Sequence, residues 1–156
     1  LDNIQDLDVA AVMIHGRSVS QGFAGEIDCD IIREARNHFS GKILANGGIN
    51  SLVQAKDILA RSGADGLGLA RGALSRPFLF QEIREDREMA IDKGDIFSLI
   101  AKHADLVYRY KGDRGFVDLR KHLCWHVQGL PGASRLREQF VRVSSYQDLK
   151  YILSKP

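Results

Sequence analysis

KILANGGI, residues 42–49, decides how the chain reads: an apolar run ends abruptly at an asparagine and two glycines. A short apolar run bounded by turn residues suits a strand buried on both faces, as strands of parallel sheets are. Two more runs end the same way. AAVMI at 10–14 stops at His15-Gly16, and DGLGLA at 65–70 stops at Arg71-Gly72. Between the runs, residues 28–39 place Ile31, Ile32, Ala35 and Phe39 on one helical face, and residues 51–61 do so with Leu52, Ala55, Ile58 and Leu59. Asn50 or Ser51 suits the N-cap of the second helix and Gly63 its stop. Strand centres near Val12, Leu44 and Leu67 are separated by 32 and 23 residues, room for a crossover helix and too much for a hairpin. The spacing predicts βα units of a parallel sheet.

A helix from about Pro77 leads to an expected joint near Lys93-Gly94, which gives domains 1–92 and 93–156. Beyond it the period is helical. Asp95 opens a stripe of Ile96, Leu99, Ile100, His103 and Val107, and Asp113 opens another of Phe116, Leu119, Leu123 and Val127. That second stripe stops at Gly129-Leu130-Pro131-Gly132, and shorter helices follow around 136–140 and 146–153. The pattern predicts a small helical bundle. Residues 1–92 carry a net charge of −4 and residues 93–156 a net of +6. A basic second half suits a phosphate-backbone partner, and a solvated helical face gives the same imbalance.

The 156 residues are 44% apolar and 27% charged, with a formal net charge of +2, which excludes a disordered chain. No run approaches the roughly 18 apolar residues of a membrane span. Residues 1–8 hold three acids and no basic group, so no secretory signal is expected there. The chain opens on Leu rather than Met, and it is expected to be part of a longer product. Cys29 and Cys124 stand in unrelated contexts, so a reducing, cytoplasmic setting is expected. The length also falls well short of the roughly 250 residues of a complete (β/α)8 barrel.

Chemistry in parallel α/β folds sits at the carboxyl ends of the strands, where loops and helix N-termini present backbone N–H groups. Asn46, Gly47 and Gly48 form one such corner. Ala70, Arg71 and Gly72 form the next and add a guanidinium suited to phosphate. His15 can donate to a ring heteroatom, and Arg17 can reach the same mouth. Gln21 to Gly25 then make a loop whose Phe23 is expected to cover the pocket or anchor the loop. On the helices, Arg114, Arg120 and Lys121 beside Trp125 are candidates for RNA contact, with Trp125 as a packing anchor the alternative. His122, Cys124 and His126 look like metal ligands, but residues two apart on a helix diverge. Only His122 and His126 could share an ion, and no metal site is expected.

Taken in order, these motifs resemble the tRNA-dihydrouridine synthases: His15-Gly16-Arg17-Ser18 with Gln21, Phe23, Gly25 and Asp28; Ala45 to Ile49; Gly63 to Gly66; Ala70 to Leu74 with Pro77. Arg120-Lys121-His122 through Trp125 and Gly129 to Gly132 resemble that family's helical tRNA-binding domain. The resemblance implies the last strands, about three, of a (β/α)8 barrel followed by a helical domain. It also implies an FMN-dependent reduction of the uridine 5,6-double bond in tRNA, with NADPH as reductant. By motif match His15 lies near flavin and uracil, Arg17 near flavin or substrate, and Asn46, Gly47, Gly48, Ala70, Arg71 and Gly72 at the FMN phosphate. Gly48 and Ala70 depart from the family's usual Asp and Gly, so one side-chain contact is lost and the last corner is expected to be tighter. The family's catalytic cysteine belongs to earlier strands. Neither Cys29 nor Cys124 matches its motif, so the chain alone is expected to be inactive and to need the amino-terminal barrel half. A stand-alone RNA-binding remnant and another FMN or phosphate barrel remain as alternatives.

Overall fold

The computed structural model describes residues 1, 4, 7–22 and 24–155. Phe23, expected to cover the pocket or anchor its loop, lies outside the described residues. The chain divides into two compact units, Leu1–Glu88 and Met89–Pro156.

In the first unit, β1 (Ala11–His15), β2 (Lys42–Asn46) and β3 (Gly66–Gly68) form a parallel sheet in the order β1-β2-β3. Val12 pairs with Ile43, Ile14 with Ala45, and Ala45 with Leu67. Helix α1 (Cys29–Glu34) connects β1 to β2, and α2 (Leu52–Ser62) connects β2 to β3. Asp28 caps α1 by accepting from the amides of Asp30 and Ile31, and Ser51 caps α2 by accepting from Gln54. Ile32, Ala35, Phe39, Ile43, Ala45, Ala55 and Ile58 fill the core between sheet and helices. Two expectations for this region fail. The first helix gives way after Glu34 to a 3-10 turn, Ala35–Asn37, and Ile31 is 55% exposed rather than buried. Neighbours on a helix stand about 100° apart, so Ile31 and Ile32 cannot both face the sheet, and Ile32 takes the place.

β3 is shorter than the expected 65–70, and Asp65 just before it donates its amide to the Ile43 carbonyl at 2.8 Å. Its carboxylate accepts from the Ile43 amide at 2.9 Å, from Lys42 Nζ at 3.1 Å and from Arg36. The Ile43 amide first, then Arg36 and Lys42, hold this carboxyl well below the ordinary range. The cluster ties the amino ends of β2 and β3, the edge of a parallel sheet that serves stability rather than chemistry. After β3, α3 (Arg71–Ser75) precedes α4 (Leu79–Glu85), which begins two residues beyond the expected Pro77. Arg76 joins the two by donating Nε at 2.7 Å and Nη2 at 2.8 Å to Glu82, whose side chain is fully buried.

The second unit consists of α5 (Lys93–Lys111), α6 (Gly115–His126), α7 (Ala133–Phe140) and α8 (Tyr146–Leu153). α5 starts before the expected Asp95 because Asp92 and Asp95 cap each other's backbone amides. Ile96, Ile100 and Ala104 of α5 are buried, as are Phe116, Leu119, Leu123 and Val127 of the α6 stripe. Phe140, Val143 and Leu149 complete the buried set. Among the described residues no helix is long and apolar enough to cross a membrane.

Candidate functional site

β1, β2 and β3 end at His15, Asn46 and Gly68, and the register pairs these three residues side by side. Asn46 Nδ2 donates to the Gly68 carbonyl at 2.7 Å, and Asn46 Oδ1 lies 2.6 Å from His15 Nδ1. A carbonyl only accepts, so the amide nitrogen must face Gly68 and the amide oxygen must face His15. That arrangement assigns the imidazole proton to Nδ1 and makes Nε2 the acceptor of the neutral ring. Asn46 was expected to serve a phosphate through its backbone amide; its side chain bridges three strands and fixes the tautomer of His15.

The next two residues form the corner itself. Gly47 has φ +117° and Gly48 φ +67°, both in the left-handed region that side chains avoid. A Cβ on Gly47 would lie 3.0 Å from His15 Cε1, and one on Gly48 would lie 3.4 Å from Arg17 Nη2. His15 and Arg17 thus both stand against this corner. Arg17 Nη2 donates to the Gly25 carbonyl at 2.7 Å, which folds the loop after β1 over toward the same edge. Its Nε is buried with no hydrogen-bond partner among the described residues.

Gly72 brings in the second corner. A Cβ there would lie 2.0 Å from the Ile49 carbonyl oxygen and 3.1 Å from Asn50 Cα. Only a residue without a side chain lets α3 press against the backbone that follows Gly48. Arg71 opens α3 on an exposed position, and the first turn holds no acid and no side-chain cap. Ala70, just before it, has φ −125° and ψ −110°. The donors gathered here, backbone amides without a shielding Cβ, a guanidinium with an unfilled N–H and a second guanidinium at a helix start, fit a phosphate group.

The RNA candidates behave differently from one another. Arg114 and Lys121 are exposed. Arg120 is half-buried and its Nε donates to the Val143 carbonyl at 2.6 Å, a tie between α6 and the segment before α8. Trp125 is 37% exposed, so it does not anchor the bundle; its ring meets His122 edge-on at 5.4 Å. His126 instead meets His103, a residue of the α5 stripe. His103 Nδ1 lies 3.3 Å from His126 Nε2, and the His103 ring is 5.6 Å from those of both His122 and His126. Burial, then the neighbouring His122, lowers the pKa of His103. Burial, then Lys121, lowers that of His122. Among the described residues no group of three or more His, Cys, Asp or Glu side chains is placed to hold a metal.

A family model described as dihydrouridine synthase matches residues 1–155. The probable tRNA-dihydrouridine synthase 1 of Synechocystis sp. is 32% identical, over 97% of this chain and 44% of its own length. The probable tRNA-dihydrouridine synthase of Mycobacterium tuberculosis is 30% identical over 94% of this chain and 39% of its own length. The tRNA-dihydrouridine synthase B of Pseudomonas syringae pv. tomato is 31% identical over 86% and 42%. The chain therefore spans less than half the length of these curated relatives. The sheet-edge motifs from His15 to Gly72 and the helical segment that follows all fall inside the matched range, and the chain belongs to the dihydrouridine synthase family.

Proposed function

We propose that this chain supplies the FMN-phosphate and tRNA-binding part of an enzyme that reduces uridine to 5,6-dihydrouridine in tRNA, with NADPH restoring the reduced flavin. The observation that carries the reading is the contact of Gly72 with Ile49, which sets two glycine corners against each other at the carboxyl edge of a parallel sheet. In this reading the first unit is the carboxyl-terminal part of a (β/α)8 barrel and the second is the helical tRNA-binding domain. Catalysis then needs the amino-terminal strands, which hold the cysteine acid.

Gly47, Gly48, Ala70, Arg71 and Gly72 would hold the FMN phosphate, through backbone amides and the Arg71 guanidinium. FMN, when bound, supplies the hydride for the uridine double bond. His15 would accept from a ring N–H at the mouth through Nε2, rather than donate as expected, and Asn46 is its positioning residue, since it fixes which imidazole nitrogen bears the proton. Arg17 orients the ring bound beside His15, with Nη2 anchored to Gly25 and Nε available. Arg114 and Lys121 meet tRNA phosphates, and Arg120 shapes the helix that carries Lys121.

An FMN titration of the chain, followed by quenching of flavin fluorescence, tests the cofactor half of this reading. Saturable quenching is expected, with Arg71→Ala weakening it by about tenfold or more, because a charge-assisted hydrogen bond contributes about 1.5–3 kcal/mol. Equal affinity of the wild-type and Arg71→Ala chains would remove Arg71 from the site. Absence of quenching would leave this chain, by itself, an RNA-binding part.

A further inference from the structure

The second unit carries a cleft that the reading above leaves unused. It measures ≈ 210 Å³ and lies between the first turn of α5, the start of α7 and the end of α8. Three cations line it, Lys93, Arg135 and Lys155, and no acid does. None of the three is in an ion pair among the described residues. The acids nearest Lys93 in sequence are engaged in capping α5: Asp92 accepts from the Asp95 amide at 2.9 Å, and Asp95 from the Asp92 amide at 3.1 Å. The Lys93 ammonium instead lies 5.0 Å from the centre of the Phe97 ring, and that of Lys155 lies 4.1 Å from the Tyr151 ring.

Three uncompensated cations around one concavity focus a positive potential in it. α7 adds to the same sign, since it opens at Gly132 without a side-chain cap and without an acid in its first turn. The rest of the wall includes the half-buried apolar side chains of Phe97, Leu136 and Ile152 beside the amide of Gln139. The volume is below the roughly 300–1,000 Å³ of pockets that enclose a drug-sized ligand. It suits one anionic group of a larger molecule, and the net charge of +6 on residues 93–156 makes that molecule a polyanion. A phosphate beside an aromatic wall is the unit of single-stranded nucleic-acid binding, in which cations take the backbone and the ring takes the base.

We propose that this cleft receives one backbone phosphate of the bound RNA, held by Lys93, Arg135 and Lys155, with an adjacent base against Phe97. The proposal rests on the reading of tRNA as the partner and adds a contact site to Arg114 and Lys121. Fluorescence anisotropy of a labelled tRNA transcript with the full chain, over a series of salt concentrations, tests it. The Lys93→Ala, Arg135→Ala, Lys155→Ala triple variant should lose about tenfold or more in affinity near 0.1 M salt, and its plot of log affinity against log salt should be shallower by about one unit. Arg135→Ala alone should lose more than Lys102→Ala, an equal loss of charge on an exposed face of α5, and Arg135→Lys should recover most of it. All three side chains are exposed, and an unchanged far-ultraviolet circular dichroism spectrum secures the fold. A triple variant that binds like the wild type would dismiss the cleft while the tRNA reading stands. A wild-type chain that binds no RNA would dismiss both.

Discussion

Replacing Gly72 by alanine is expected to destabilise the first unit by about 3 kcal/mol and to abolish FMN quenching. The added methyl would meet the Ile49 carbonyl oxygen at 2.0 Å, and backbone cannot swing aside as a flexible side chain can. Overpacking ordinarily costs about 1–3 kcal/mol, and a backbone obstacle places this variant at the upper end. Relief requires α3 to move off the segment after Gly48, which separates the two corners. Gly48→Ala is the informative companion. Its methyl would meet Arg17 Nη2 at 3.4 Å and Ile27 Cγ2 at 3.7 Å, ordinary contact distances, so its penalty is chiefly the left-handed backbone, about 1–2 kcal/mol. Urea unfolding followed by circular dichroism measures both. The single tryptophan, Trp125, sits in α6, so its fluorescence serves as an internal reference for the second unit.

Glu82→Ala should cost about 3 kcal/mol in the same assay, at the lower end of the range for breaking a buried pair, because the Arg76 side chain is 38% exposed and keeps part of its hydration. Arg76→Met should cost more, since it leaves the carboxylate of a fully buried Glu82 without its two charge-assisted hydrogen bonds. Replacing both partners by Met and Leu should restore a large share of the loss, as paired apolar substitutions of buried ion pairs do. The pair fixes where the chain turns from α3 into α4, so Glu82→Ala is also expected to weaken FMN through the position of Arg71. If Glu82→Ala and the wild type unfold at the same urea concentration, the pair has no structural role.

The parts of this fold that were legible in the sequence share one property: a local pattern with a single physical solution. The apolar run of β2 became a strand buried at Ile43 and Ala45, and the stripe Phe116, Leu119, Leu123 and Val127 a buried helix face, whereas β1, expected to be buried as well, leaves Met13 58% exposed. Where two residues competed for one place, the pattern was silent. Ile31 and Ile32 are equally apolar, and only the direction of α1 decides which is buried. The start of α5 shifted for a related reason, because Asp92 and Asp95 act through hydrogen bonds to particular amides that composition does not reveal. At the site, motif order brought His15, Arg17, Gly47, Gly48 and Gly72 to one edge. The bridge from His15 through Asn46 to Gly68 depends on strand register, which no single strand carries. His103 beside His126, and the burial of Glu82, likewise depend on which faces meet.

In the proposed reading the corners at residues 46–49 and 70–72 together form a phosphate cradle. Amide resonances of the ¹⁵N-labelled chain, followed as FMN is added, test this. Saturable shifts are expected at Gly47, Gly48 and Gly72 together, with the amides of α5 to α8 unmoved. Shifts confined to residues outside the two corners, or at one corner without the other, would contradict it.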